Sequence, residues 1–242
     1  MIVISDLEKI YASQDFSHTA LSGVNLTIED GDIFGILGTS GAGKSTLVRC
    51  LNLLEVPDSG TILIDGTDVC QATPSQLPAI RANMGMIFQN YCLFQQRDVL
   101  DNILFPLALR KRISREDRDF AVRLLERVGL SGYEHRYPSQ LSGGQKQRVA
   151  ICRALIARPS YLICDEATSA LDSETTAQIL ELLRDINKDL GVTLILITHS
   201  QAVAQAICKH VAILEKGRIV SMGTPEQVLG VQDALPLTSE DR

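Results

Sequence analysis

The stretch "GTSGAGKST", residues 38–46, matches the pattern G-x-x-x-x-G-K-[ST] of a phosphate-binding loop. It follows the apolar run "DIFGIL" (32–37), which predicts a strand, and precedes "TLVRCLNLL" (46–54), which predicts a helix. Such a loop wraps a row of backbone N–H groups around phosphate oxygens, and the helix N-terminus adds its dipole. The stretch therefore predicts an α/β domain that binds a nucleotide.

Within this loop, the Lys44 ammonium can reach the β- and γ-phosphates, and the Ser45 hydroxyl can ligate Mg²⁺. The alternative is a glycine-rich turn that Ser45 caps, and such a turn rarely matches the whole pattern between a strand and a helix. The residues that we expect to contact the phosphates are Gly38, Thr39, Ser40, Gly41, Ala42, Gly43, Lys44, Ser45 and Thr46.

The composition limits the class of protein. A chain of 242 residues that is 45% hydrophobic and 21% charged can bury a full core, and its formal net charge of −6 argues against a nucleic-acid binder. No apolar run reaches the ~18 residues that a membrane helix needs. The acids in "MIVISDLEKIY" (1–11) argue against a signal peptide. The six cysteines are scattered without metal-type spacing, which predicts reduced thiols and a cytosolic compartment.

Strands and helices alternate along the chain. A helical pattern occupies about 90–160, as in "SREDRDFAVRLLERVG" (114–129), which Ser114 caps. Another helix is predicted to end at Gly191, and a hairpin to turn at Lys216–Gly217. The predicted strands are "GTILIDG" (60–66), "MGMIFQN" (84–90), "YLIC" (161–164) and "VTLILIT" (192–198). The pattern predicts an α/β core with a helical insertion at about 90–160.

Two acids and one histidine follow apolar strands. In "YLICDE" (161–166), Asp165 and Glu166 come at the carboxyl end of a buried strand, where ligands of α/β sheets bind. Asp165 is predicted to hold Mg²⁺ through water, and Glu166 to polarise the attacking water. His199 follows "VTLILIT" and is placed to touch a γ-phosphate. The other three histidines, at positions 18, 135 and 210, have no such position and are predicted to be surface residues.

Two residues leave alternatives open. Gln89, at the end of a strand, is either a polar strand end or an amide that ligates Mg²⁺ or the attacking water. Tyr11 is either a packing residue or an aromatic platform for adenine.

The stretch "LSGGQ" (141–145) predicts a glycine turn that opens a helix, whose free N–H groups can hold an anion. The residues alone do not say whether that anion is bound by this chain or brought by another.

Taken together, these motifs resemble the ATP-binding subunits of ABC transporters over about residues 2–230. They correspond to the Walker A loop (38–46), the Q-loop Gln89, the signature (141–145), the Walker B strand (161–166), the D-loop "SALD" (169–172) and the switch His199. The resemblance implies an α/β P-loop NTPase fold with a RecA-like core, an antiparallel β subdomain and an inserted helical subdomain. It covers a domain at 1–230 and leaves a short polar tail at 231–242.

The resemblance also implies the chemistry, which is ATP hydrolysis with Mg²⁺ between two copies arranged head to tail. It implies catalytic roles for Glu166, His199 and Gln89, metal ligation by Ser45, Gln89 and Asp165, and adenine stacking on Tyr11. The residues expected to act in trans, on the ATP of the partner copy, are Ser142, Gly143, Gly144, Gln145 and Asp172.

The implied partners, besides the second copy, are integral membrane permease subunits and, through them, a substrate-binding protein. Nucleic acid is not among them. The chain would lie peripherally on the cytoplasmic face of the inner membrane. Arg97, Asp98 and "VLDNILFPLAL" (99–109) would line the groove that receives a short permease helix.

Within the family, three stretches look most like methionine-uptake importers: "RCLNLLEVPDSG" (49–60), "MGMIFQNYCLF" (84–94) and "CDEATSALD" (164–172). The alternatives are a polar amino-acid importer and, in another class, a soluble ABC ATPase that acts on DNA or ribosomes. Those soluble relatives carry coiled-coil arms, zinc inserts or two cassettes in one chain, and none of these features is visible in the sequence. A P-loop kinase is a third alternative, but it would leave "LSGGQ" and His199 unexplained.

The last stretch, "VQDALPLTSEDR" (231–242), departs from the methionine importers, which typically extend into a further C-terminal domain that senses methionine. We therefore expect no inhibition by internal methionine through this subunit.

Overall fold

The computed structural model describes residues 1–13, 16–110 and 112–230, so the predicted tail at 231–242 lies outside the described residues. The strands are β1 (Ile2–Ser13), β2 (Phe16–Ile28), β3 (Ile33–Leu37), β4 (Ser59–Ile64), β5 (Thr67–Asp68), β6 (Met84–Ile87), β7 (Tyr161–Asp165), β8 (Thr193–Thr198), β9 (His210–Glu215) and β10 (Arg218–Gly223). The helices are α1 (Lys44–Leu51), α2 (Leu77–Ala82), α3 (Val99–Ala108), α4 (Arg115–Arg127), α5 (Gly143–Leu155), α6 (Ser173–Leu190), α7 (Gln201–Ile207) and α8 (Pro225–Leu229).

A six-stranded sheet of order β10-β9-β3-β8-β7-β6 forms the centre of the molecule. Its strands β9, β3, β8, β7 and β6 run parallel, and β10 closes one edge as the antiparallel arm of a hairpin. The carboxyl ends of parallel strands lie at one edge of the sheet. The segments that follow β3, β6, β7 and β8 therefore meet at that edge, and these segments carry the residues of the predicted site.

The central strand β8 explains why "VTLILIT" lacks alternation. All six of its residues are buried. Leu194 and Leu196 pack into a core with the helices, whereas Ile195 and Ile197 pack into a second core on the opposite face. A strand covered on both faces needs apolar side chains at every position.

A second sheet, of order β2-β1-β4-β5, is antiparallel and packs with α1 on the second face of the central sheet. Three helices, α3, α4 and α5, lie between β6 and β7 in the chain, within the segment predicted to be helical. The predicted α/β class, with its antiparallel sheet and inserted helices, is confirmed by these elements. Over the described residues, no helix combines the length and the apolarity that crossing a membrane requires.

Local signals set several boundaries. Ser114 caps α4 in a reciprocal capping box with Asp117, and α6 ends at Gly191, whose φ of 65° is left-handed. The hairpin turns at Lys216–Gly217 as predicted.

Two boundary predictions are wrong. Helix α1 ends at Leu51 and not at Leu54. Strand β6 ends at Ile87 and not at Asn90, because the chain turns there, with the N–H of Tyr91 donating to the carbonyl of Phe88. Gln89 therefore lies in a turn beyond the strand.

Candidate nucleotide-binding and catalytic site

A cleft of about 800 Å³ at the carboxyl edge of the central sheet brings most of the predicted site together. Its volume falls in the range of small-molecule sites. Predicted residues that line it are Tyr11, Thr39, Ser40, Gly41, Gly43, Lys44, Ser45, Thr46, Gln89, Asp165, Glu166 and His199. Gly38 and Ala42, which were also predicted to contact the phosphates, are not part of this lining.

The loop at 38–46 is shaped for close contact with an anion. Helix α1 begins at Lys44, and Gly43 before it has a φ of 108° and supplies no side-chain cap, so the first N–H groups of the helix have no such partner. A Cβ on Gly43 would lie 2.5 Å from the carbonyl oxygen of Ala20, and one on Gly38 would lie 2.4 Å from that of Leu214. Both positions therefore require glycine. The uncapped helix start fits a phosphate group.

Lys44 is folded over this loop. Its Nζ donates to the carbonyl oxygens of Gly38 and Thr39 at 2.6 and 2.9 Å, and the residue is 8% exposed. These two hydrogen bonds therefore hold the ammonium against the phosphate loop.

We expect Lys44→Ala to weaken ATP binding by roughly 10–100-fold, the loss usual when a charged hydrogen-bonding partner is removed. An equilibrium titration with a fluorescent ATP analogue measures this. Lys146→Ala, which removes a lysine from the first turn of α5, is the control. Equal affinity of Lys44→Ala and the parent would contradict the role of Lys44.

The two acids after β7 occupy different environments. Burial, and next the neighbouring Glu166 carboxylate, raise the pKa of Asp165, while the charges of Lys44 and Arg49 oppose this shift. Glu166 has a φ of 48°, a left-handed conformation that is costly for a residue with a side chain. Its backbone N–H donates to Ile197 of the neighbouring strand at 2.9 Å, which holds the residue in this conformation.

His199 and Glu166 come within reach of each other. The His199 Nδ1 lies 3.3 Å from the Glu166 Oε1, and the side chains are 62% and 23% exposed. The ring thus lies beside the carboxylate, and both residues line the cleft.

The antiparallel sheet brings to the cleft a histidine, His18, that we predicted from the sequence to be a surface residue. His18 is exposed but lines the cleft, because β1 and β2 pair Tyr11 with His18 directly across the hairpin. The Tyr11 hydroxyl is buried and has no hydrogen-bond partner among the described residues. Only the strand pairing, which the sequence pattern does not give, brings His18 to the site.

The residues predicted to act in trans do not line this cleft in the part of the chain that the structure describes. Ser142 is exposed at the start of α5 and forms a capping box with Gln145, whose Oε1 accepts from the Ser142 N–H at 2.9 Å. Asp172 caps α6, accepting from the N–H and the hydroxyl of Thr175 at 2.9 and 2.8 Å.

The buried thiols are unsuited to catalysis. Four of the six cysteines, all at described positions, are buried. Burial raises the pKa of Cys50 to about 11 and that of Cys164 to about 12.

Comparison with known proteins shows the family. The sequence model of the ABC transporter family matches residues 21–169. This range includes the phosphate loop, the signature, Asp165 and Glu166. This chain belongs to the ABC transporter family. Its predicted membership, fold and ATP-hydrolysing activity are confirmed.

The chain is 50% identical over 228 residues to the methionine import ATP-binding protein MetN of Caulobacter vibrioides, covering 94% of this chain and 68% of that protein. It is 52% identical to the MetN protein of Geobacillus kaustophilus, covering 92% of this chain and 65% of that protein. The chain thus spans about two thirds of the length of these relatives.

Among solved structures, it resembles a dimeric post-hydrolysis state of the ATP-binding cassette MJ0796 bound to ADP and Pi. The TM-score is 0.84 at 33% sequence identity, over 93% of this chain and 99% of the other.

Proposed function

We propose that this chain is the ATP-hydrolysing subunit of a methionine importer, and that two copies enclose ATP between them. One observation carries the proposal. A single cleft gathers the phosphate loop, Asp165, Glu166, Gln89 and His199, while the signature residues lie outside it. A second copy that places its signature turn over this cleft would complete the site.

The dimeric cassette MJ0796, bound to ADP and Pi, supports nucleotide binding and dimer formation by this chain. The phosphate loop offers uncapped N–H groups and the Lys44 ammonium to the phosphates. Tyr11 also lines the cleft and is the proposed platform for adenine, and His18 is its partner across the hairpin.

In the proposed reaction, Glu166 polarises the attacking water, and His199 contacts the γ-phosphate. Gln89 orients the water from the turn after β6. The donor set also fits Mg²⁺, since Ser45, Gln89 and Asp165 offer the oxygen ligands that this ion prefers. When bound, Mg²⁺ neutralises the charge that develops on the phosphate oxygens. Burial first, and the neighbouring Glu166 carboxylate second, raise the pKa of Asp165, and a bound cation would favour the charged form of this carboxylate.

The signature residues of the partner, Ser142 to Gln145, would supply the opposite wall of the site. Closure then depends on ATP, because the nucleotide is bound by both copies at once. Hydrolysis and phosphate release remove this bridge, and the copies separate.

A groove of about 370 Å³, lined in part by Phe88, which precedes Gln89 in the chain, is the proposed docking site for a short helix of the membrane permease. The larger apolar side chains that line it are those of Met84, Met86, Phe88, Phe94, Phe105, Pro106 and Leu109. Arg81, Arg110 and Arg153 also line it, which favours acidic residues on the incoming helix.

Arg97 and Asp98 were expected to line this groove, but neither is among its lining residues. They contact the residues and the helix that form the groove. Arg97 stacks on the rings of Phe94 and Phe105, with its Cζ 5.8 and 5.0 Å from their centroids. Asp98 caps α3.

Docking on a permease would hold the chain at the cytoplasmic face of the membrane. Methionine is the proposed substrate because the relatives that match over most of this chain are methionine import proteins. A polar amino-acid importer is the alternative, since the chemistry of the ATP site is independent of what the permease carries.

Uptake of labelled methionine tests the proposal. Cells that lack this chain should lose energy-dependent methionine uptake and keep uptake of glutamine and arginine. Expression of the chain should restore it, whereas the Glu166→Gln variant should not. Loss of glutamine or arginine uptake with methionine uptake intact would favour the alternative and refute methionine import.

A further inference from the structure

The turn between Gln89 and α3 holds an unfavourable backbone conformation. Tyr91 and Cys92, two consecutive residues with side chains, have φ angles of 58° and 49°. Left-handed conformations at such residues persist only where the surroundings fix them. The turn therefore depends on contacts from elsewhere in the chain.

Arg153 of α5 supplies one of these contacts. Its guanidinium donates to the carbonyl oxygen of Tyr91 at 2.7 Å and also to that of Cys92. The residue is 8% exposed, and no carboxylate of the described residues forms an ion pair with it. A planar guanidinium can bind two adjacent carbonyls with a fork of N–H groups, which a lysine ammonium matches poorly.

Tyr91 makes a second contact with α5, at the opposite end of the helix. A Cβ built on Gly143 would lie 3.1 Å from the Tyr91 hydroxyl oxygen, so the phenol packs directly on this glycine. Gly143 is the first residue of α5 and follows Ser142 of the signature. Tyr91 thus contacts residues from both ends of α5: its carbonyl accepts from Arg153, and its hydroxyl packs on Gly143 of the signature turn.

We propose that Tyr91 and Arg153 are positioning residues that join the turn after Gln89 to the signature turn. ATP of the partner copy, pressing on Ser142 and Gly143, would thereby shift Gln89 of the chain's own site. Each site would sense whether the other is closed. The proposal rests on the proposed dimer and adds a route between its two sites.

The same link reaches the docking groove, because Cys92 and Arg153 both line it. A permease helix seated there would contact Cys92 of the turn and Arg153, which holds the turn.

The reactivity of the Cys92 thiol reports on the turn directly. Cys92 is exposed, whereas Cys50, Cys152, Cys164 and Cys208 are buried and Cys70 is half-buried. The experiment uses the chain with Cys70→Ser and Glu166→Gln, which is expected to hold ATP in a closed dimer. The rate at which a colorimetric thiol reagent modifies Cys92 is measured with and without ATP, and sizing chromatography shows the dimer separately.

We expect ATP to change the modification rate roughly fivefold or more in the parent, the lower end of typical coupling between sites. Arg153→Lys and Tyr91→Phe should dimerise yet reduce this change to less than about twofold. Arg148→Lys is the matched control and should keep the full change, since Arg148 lies on the same helix but binds the Val128 carbonyl and Gln178. The Ser142→Arg variant should bind ATP without forming the closed dimer. The change in the modification rate of Cys92 that remains in this variant is therefore the part caused by the chain's own nucleotide.

A merely structural role of these residues predicts a lower melting temperature with the ATP-dependent change intact. An undiminished change in both variants, or no change in a parent that does dimerise, would overturn the inference while leaving the proposed function standing. If Arg153→Lys fails to fold, Tyr91→Phe decides, because it removes only one hydroxyl. Absence of any ATP-dependent dimer would refute the proposed function and this inference together.

Discussion

Replacement of Glu166 by glutamine is expected to lower the rate of ATP hydrolysis by about 10²–10⁴-fold, the usual contribution of a positioned general base. Glutamine keeps the shape and the hydrogen-bonding reach of the side chain but cannot accept a proton from water. The backbone of residue 166 stays fixed by its bond to Ile197, so the substitution should not move the strand end. The steady-state release of phosphate measures the effect.

The same variant should still bind ATP, because Lys44 and the phosphate loop are untouched. With hydrolysis blocked, the ATP that bridges two copies persists, and the protein should elute as a dimer from a sizing column. Glu126→Gln, at an exposed position of α4, is the control and should behave as the parent. A monomeric Glu166→Gln variant with full activity would contradict the assignment.

Ser142→Arg is expected to abolish turnover while ATP binding to the isolated subunit stays intact. Ser142 is exposed at the start of α5, outside the cleft of its own chain, so an arginine there does not obstruct that cleft. In the dimer, the bulky cation would replace the group that faces the γ-phosphate of the partner. We expect a fall in turnover of at least about 10²-fold, the loss usual when a group that stabilises the transition state is removed.

Loss of the helix cap must be separated from loss of the trans contact, since removing an N-cap costs about 1 kcal/mol by itself. Ser114→Arg is the matched control, because Ser114 caps α4 with the same reciprocal pattern but belongs neither to the signature nor to the cleft lining. A similar fall in turnover for both variants would show that helix stability, and not the trans contact, explains the loss.

The sequence predicts the groups whose neighbours lie close along the chain. The phosphate loop is continuous, and Asp165 and Glu166 follow directly on a strand that is recognisable from its apolar run. Since parallel strands share one carboxyl edge, β3, β7 and β8 bring Lys44, Glu166 and His199 together without any further information.

The rest depends on pairings between distant segments. His18 reaches the cleft only through the register of β1 and β2, and Arg153 meets carbonyl groups 61 and 62 residues away. The left-handed conformation of Glu166 has no signal in the residue type, because a glutamate is unfavourable there and is held by Ile197 of another strand. Gln89 lay at a predicted strand end, yet the strand stops two residues earlier and leaves the amide in a turn.

The central claim, that each ATP lies between the phosphate loop of one copy and the signature of the other, is tested most directly with mixed dimers of Lys44→Ala and Ser142→Arg. At an ATP concentration near the parental dissociation constant, each variant alone should have little activity. In a mixed dimer with trans sites, both defects fall in one site, and the other site is whole. An equal mixture should therefore recover ATPase activity, since about a quarter of the parental sites stay whole when pairing is random. Sites built within one chain would carry one defect each, so a mixture as inactive as its two components would contradict the account.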